Sequence, residues 1–335
     1  MYFLYFCSMS ATRKAKQFLV AIIKLLIVGG AFYFIYDRLA HNDKLDWSRL
    51  TETLNGSSAS WLIFGILTLT FLNRFLEILK WQNLVSYLHR ISLGKSAAQV
   101  LAAVTAALFT PNGIGEYAAK TMYFKKAEAG EIIFLNLVCN GIQLIIAVLA
   151  GIAGLLFFNY TYPAGSGNLA IAVTAGILIV AIALFSARKI TIKGYSIKRL
   201  GEKLNNIPKS IHRKNILLAI GRYLCIAHQY YLLFLLFDVQ LPYPIMISTI
   251  AATYFLGSSL PSFQFLDFAV KGSVAISFFG ILGVNEWIVV FIATLIWLLN
   301  TVLPVTIGSY FVFTFKPERT AEEITAASHQ EPQEG

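Results

Sequence analysis

Apolar residues along this chain gather into long unbroken runs, rather than the alternation of a strand or the narrow stripe of a surface helix. The runs fall at about 17–37, 60–79, 131–158, 168–187, 215–237 and 287–315. Each holds roughly the 20 residues that an α-helix needs to cross a hydrocarbon core, so each predicts a membrane span. Two further apolar stretches, near 96–110 and 244–260, are cut by Pro111 and Pro261, and each is followed by a shorter run, about 114–126 and 266–283. Proline withholds a backbone donor and clashes with the preceding turn, so these pieces predict broken helices.

Loop charges set the threading, because Lys and Arg are retained on the cytoplasmic side. The segment 188–214 holds Arg188, Lys189, Lys193, Lys198, Arg199, Lys203, Lys209, Arg213 and Lys214 against Glu202 alone. The loop 80–95 carries Lys80, Arg90 and Lys95 without an acid, and the start carries Arg13, Lys14 and Lys16. All three read as cytoplasmic. The connection 159–167 is uncharged and 38–59 balances three bases with three acids, so both read as external. These assignments agree only if 96–126 enters and leaves on the cytoplasmic side and 244–283 on the outer side. A re-entrant hairpin or two short spans in each place gives the same sidedness.

The expected fold is therefore an all-α polytopic membrane protein of about six to eight helices. Residues 17–158 and 168–315 each read span, span, broken hairpin, span. Three crossings per half invert the second half relative to the first, an arrangement typical of transporters. The membrane domain covers 17–315, between a cytoplasmic segment 1–16 and a polar tail 316–335 expected to be disordered; Met9 is a second candidate start.

Composition agrees. Of 335 residues, 57% are apolar and 13% charged, about half the ~25% charged of a soluble domain, and the mean hydropathy is +0.67. The net charge of +10 then reflects topology and anionic lipid, not nucleic acid, since no basic stripe is interleaved with exposed aromatics. Five scattered histidines and three cysteines (Cys7, Cys139, Cys225) have no metal-ligand spacing, so neither metal nor cofactor is expected. No GxSxG, P-loop, HExxH or GxGxxG is present, which argues against an enzyme.

The candidate chemistry lies at the two breaks. Pro111, Asn112, Gly113 and Gly115 unwind the backbone, and Glu116 is followed four residues later by Lys120. Pro261 precedes Asp267, which is followed four residues later by Lys271. Acid and lysine at that spacing share a helical face, where they either neutralise each other or floor a polar cavity that handles a charged headgroup. A helix restarting after Pro111 would offer free N–H groups to phosphate, or would be a plain turn. Asn136, Asn140 and Gln143 share a face of their span and either join helices or line a path. Arg74, near the expected cytoplasmic end of its span, pairs with Glu77 or snorkels.

Around Leu108–Glu116 the chain resembles the transmembrane, flippase-like domain of the lysylphosphatidylglycerol synthetases, a family marked by a Pro-Gly-x-x-Gly-Glu-like turn with a basic residue one turn later. Pro111, Gly113, Gly115, Glu116 and Lys120 match that pattern, with Asn112 in a place often held by glycine. Pro261, Asp267 and Lys271 match the family's second break. Full-length synthetases continue into a cytosolic aminoacyl-transfer domain, for which no room follows residue 315, so a stand-alone member is expected. The resemblance implies lipid translocation or lipid binding and leaves the substrate open; the inverted repeat with its matched acid–lysine pairs predicts a plasma-membrane protein that passes a lipid or lipid-linked headgroup between opposed cavities at the two breaks. It leaves open a membrane-embedded lipid-modifying enzyme, or an accessory subunit to a partner enzyme that makes the lipid.

Overall fold

In the computed structural model the described residues are 59–108, 110, 113–163, 191–192, 195–260 and 263–315; for 191–192 and 195–198 only the backbone is described. The expected spans at 17–37 and 168–187, the segment 1–16, the tail 316–335, and Pro111, Asn112 and Pro261 lie outside them.

The first long helix, α1 (Ala59–Val85), leads to a broken pair, α2 (Leu93–Ala107) and α3 (Gly115–Thr121). A 3-10 turn (Lys126–Glu128) then opens α4 (Ala129–Thr161). A hairpin of two-residue strands, β1 (Thr191–Ile192) and β2 (Tyr195–Ser196), precedes the short helix α5 (Ile197–Asn206). The remainder is α6 (Lys209–Leu236), a second broken pair α7 (Tyr243–Ser259) and α8 (Asp267–Ile281), and a last span made of α9 (Glu286–Trp297), a π turn (Leu298–Val302) and α10 (Leu303–Thr314). The small strand pair is the one departure from an all-α membrane fold among the described residues.

Five described helical segments are long and apolar enough to cross a bilayer: Ala59–Val85, Lys126–Thr161, Lys209–Leu236, Gln264–Ile281 and Glu286–Thr314. The protein is a multi-pass membrane protein. Large apolar side chains such as Trp61, Phe64, Phe71, Leu149 and Leu217 face outward, as they should where the solvent is as apolar as the interior.

Contacts between helices order the chain in depth. Gly65 meets Leu232, Gly221 meets Leu76, and Asn83 donates to Ile211 O at 2.9 Å, so α1 and α6 lie side by side and antiparallel. His89 bonds Glu128, Lys203 pairs with Glu131, and Leu88, Ile91, Phe124, Leu200 and Ile211 share one cluster. The end of α1, both ends of the first hairpin, the start of α4, α5 and the start of α6 therefore gather at one end of the molecule. Tyr123 stacks edge-on against Phe315, which brings the end of α10 there too. The far end holds the end of α6 and both ends of the second hairpin.

Each hairpin thus enters and returns at its own end, and the ends are opposite. Length agrees: at 1.5 Å per residue, α2 and α3 are about 22 and 10 Å long, short of a ~30 Å core. Gln264–Ile281 has a span's length, yet its first residue touches Gly113 of the other hairpin deep in the protein.

Two kinds of packing relate the halves. Helices α1 and α6, which correspond to the second expected span of each half, run antiparallel, which an inverted repeat requires and a parallel repeat would forbid. The halves also exchange hairpins: α7 packs on α4, and α2 packs on α10. Glycines make both close approaches. A Cβ on Gly154 would lie 2.5 Å from Ser248 O, and one on Gly308 would collide with Leu101 O.

Candidate functional site

The breaks bring their chemistry to one place. A cavity of about 170 Å³ lies between the hairpin tips and the middles of α1 and α6; Arg74, Glu77, Glu116, Gln143, Arg222, Asp267 and Lys271 are among its lining residues. The expectation of two opposed cavities is corrected: Glu116 and Asp267 line the same one. The reason is tertiary. Exchanged packing draws each tip across to the helices of the other half, and the Gln264 side chain reaches the backbone of Gly113. Gly113 has φ of +70°, a conformation that a side chain would strain.

On one wall, Arg74 and Arg222 both engage Glu77. Arg74 Nη1 pairs with Glu77 Oε2, and Arg222 Nη2 reaches the same oxygen at 3.1 Å. Arg74 Nη2 also donates to Asn300 O at 2.5 Å, and Arg222 Nε donates to Asn73 Oδ1 at 3.1 Å. Asn300 sits in the π turn and ties it to α1 and α6: its Oδ1 accepts from Asn73 at 2.7 Å, while its Nδ2 donates to Gln229 Oε1 at 2.8 Å. Gln229 Nε2 donates in turn to Thr70 Oγ1 at 2.6 Å. Arg74 Nε remains buried without an acceptor.

Arg74 and Glu77 were expected near the end of a span that stops at residue 79. Instead α1 continues to Val85, which places them near its middle. Lys80, expected as a cytoplasmic loop charge, is wholly buried and donates to Cys139 O and Gln143 Oε1, both at 3.1 Å. A lysine inside an apolar helix resembles a boundary in sequence; two acceptors on α4 make it part of the interior.

The first acid–lysine pair forms the cavity's rear wall. Lys120 Nζ bonds Glu116 Oε1 at 2.5 Å and Asn136 Oδ1 at 2.8 Å, and lies 4.2 Å from the centre of the Trp81 ring. Asn140 donates to Glu116 Oε2 at 3.4 Å. Gln143 and Arg74 line the cavity, whereas Asn136 and Asn140 hold the pair from behind. The N-terminus of α3 is not open to phosphate: Gly115 N–H is held by Thr110 Oγ1 at 2.8 Å, and Glu116 N–H donates to Gly113 O at 3.0 Å.

The second pair is set differently. Lys271 Nζ bonds Asp267 Oδ2 at 2.5 Å and lies 5.3 Å from the Tyr254 ring. Trp297, also lining the cavity, donates from Nε1 to Gln264 O at 3.1 Å and packs against Phe268. Lacking the first site's glycines, this break turns through a 3-10 segment, Gln264–Leu266.

Sequence reasoning missed Arg222, Asn73, Asn300, Tyr230, Tyr254 and Trp297 as lining residues. Arg222 carried a usable signal, since an arginine in mid-span is a functional candidate by position alone. No group of His, Cys, Asp and Glu among the described residues is arranged to hold a metal ion.

The family model described as "Lysylphosphatidylglycerol synthase TM region" matches residues 21–309, most of the chain, and the protein belongs to that family. No curated protein and no solved structure matches the chain.

Proposed function

We propose that this member of the lysylphosphatidylglycerol synthase transmembrane family binds the headgroup of a membrane lipid, or of a lipid-linked substrate, and passes it between leaflets as a flippase or scramblase. The observation that carries the reading is the charged cavity half-way along α1 and α6, to which broken hairpins converge from opposite ends of the molecule. A buried charge at mid-bilayer costs at least ~2.5–3.5 kcal/mol on insertion scales, so such a cluster persists where function requires it. Its volume lies below the ~300–1,000 Å³ of pockets for drug-sized ligands, which suits a headgroup whose acyl chains stay in lipid.

Sidedness follows the loop charges. The end holding Arg90, Lys95, Lys125, Lys126, Lys203, Lys209, Arg213 and Lys214 is cytoplasmic, whereas the described far-end loops carry Asp238 and Glu286 and no Lys or Arg. In this reading the membrane is the plasma membrane, both termini are cytoplasmic, and any driving force is a gradient or an external partner.

Liposomes holding the purified protein and fluorescent lipids provide the test. Wild-type protein should equilibrate the label between leaflets. A Glu116→Ala/Asp267→Ala double variant that scrambles at the wild-type rate would sink the residue assignment. One observation favours a second reading, a lipid-modifying enzyme: Glu116 and Asp267 share a cavity that a substrate could enter. Lipid profiling of a deletion strain separates the two, because loss of a lipid species indicates an enzyme and altered leaflet exposure with unchanged totals indicates transport.

A further inference from the structure

Among the described residues, the charges around the cavity do not balance. Arg74, Arg222 and Lys271 line it with Glu77, Glu116 and Asp267, while Lys80 and Lys120 lie wholly buried just behind. That makes five cations against three carboxylates. The surplus is localised. Lys120 bonds Glu116 and Lys271 bonds Asp267, each at 2.5 Å, which leaves Arg74, Arg222 and Lys80 with Glu77. Both guanidinium groups lean on one oxygen of that carboxylate, and Arg74 Nε has no acceptor.

We propose that the cavity takes a phosphate ester of net negative charge bearing an uncharged, hydroxylated substituent, and discriminates against aminoacylated, net cationic headgroups. This rests on the headgroup-binding reading above and names its chemical class. Two planar guanidinium forks on one wall match phosphate oxygens in both charge and geometry. An anion there supplies the missing counter-charge. An ammonium group finds no such place, since each cavity carboxylate already has a cation in contact. Beside Lys271 the lining turns to neutral groups: Tyr230, Tyr254 and Gln264 can exchange hydrogen bonds with hydroxyls, and the Trp297 and Phe268 rings, 5.2 Å apart, present an apolar face. Lysylphosphatidylglycerol carries two ammonium groups and one phosphate and would raise the surplus rather than cancel it.

The test uses the full chain in phosphatidylcholine nanodiscs and follows tryptophan fluorescence, since Trp297 lines the cavity. The probes are dihexanoyl-phosphatidylglycerol, its lysyl ester, sn-glycerol 3-phosphate and inorganic phosphate. The glycerol lipid should bind at least ten-fold more tightly than its lysyl ester, and Arg222→Gln should weaken it ten-fold or more, with Arg222→Lys between. Equal or tighter binding of the lysyl ester overturns the proposal and leaves headgroup binding standing. Glycerol phosphate or inorganic phosphate binding as tightly as the lipid supports the anion class but defeats the lipid reading. Binding of none of the four overturns both. The comparison of ligands on the wild-type protein needs no variant to fold.

Discussion

The two hairpins repeat the same order of proline, acid and lysine, yet they hold their charges differently. In the first, the Lys120 side chain is 1% exposed, with Glu116, Asn136 and the Trp81 ring around it. In the second, Lys271 and Asp267 are 21% and 27% exposed and the lysine faces one tyrosine ring. One pair is built into a wall and the other stands at its edge. Matching sequence motifs mark equivalent positions in an inverted repeat, but the neighbours decide whether a charge pair serves structure or meets a ligand.

Removing one lysine from each hairpin is the strongest way to break that comparison. Lys120→Met removes the wholly buried member of a pair whose carboxylate, Glu116, is 12% exposed, and should cost about 3–5 kcal/mol. Lys271→Met acts on a partly exposed pair and should cost about 1 kcal/mol or less. Unfolding in detergent micelles measures both, and equal losses would erase the distinction. Headgroup transport should reverse the order once stability is allowed for, with Lys271→Met the more damaging.

The exchanged packing gives a smaller effect. Gly308→Val should loosen the first hairpin from α10, and Gly154→Val the second from α4, each by about 1–3 kcal/mol of overpacking. Protease protection of the hairpins should report the damage on the side affected. A variant that loosens the wrong hairpin would refute the exchange.

Sidedness should change no stability at all. In a background without the native cysteines, Gln240→Cys, in the exposed far-end loop beside the second hairpin, should react with an impermeant thiol reagent on intact cells. Ser210→Cys, exposed at the basic end, should not. The reverse pattern would turn the transporter over; reaction at both would end the opposed-entry arrangement.

Much of this architecture was legible in the residues. Apolar runs and loop charges predict the described spans and the opposite entry of the hairpins, because bilayer thickness and charge sidedness act on the chain locally. The shared cavity was not legible. It depends on α2 packing against α10 and α7 against α4, and nothing near Gly113 in sequence announces Gln264 as its neighbour. Lys80 misled for a related reason: its acceptors, Cys139 O and Gln143 Oε1, lie on another helix. Asn300 was invisible because one amide in an apolar span matters only once Arg74, Asn73 and Gln229 surround it.

The π turn at Leu298–Val302 has a consequence for how the last span keeps its two appointments. Within it, Asn300 must offer a carbonyl to Arg74; beyond it, Gly308 must seat against Leu101. A π turn carries about one residue more than the 3.6 of an α turn, so it works as slack that sets the phase between those points. Deleting one residue from 298–302 would swing the lower half by about 100° and withdraw it by ~1.5 Å relative to the upper. Such a deletion should keep the arginine contact or the glycine seat, but not both, and cross-linking at the α2–α10 seam would show which was kept. The last span is in effect two helices with a phase adjuster between them, one half timed to the charged cavity and the other to the opposite repeat.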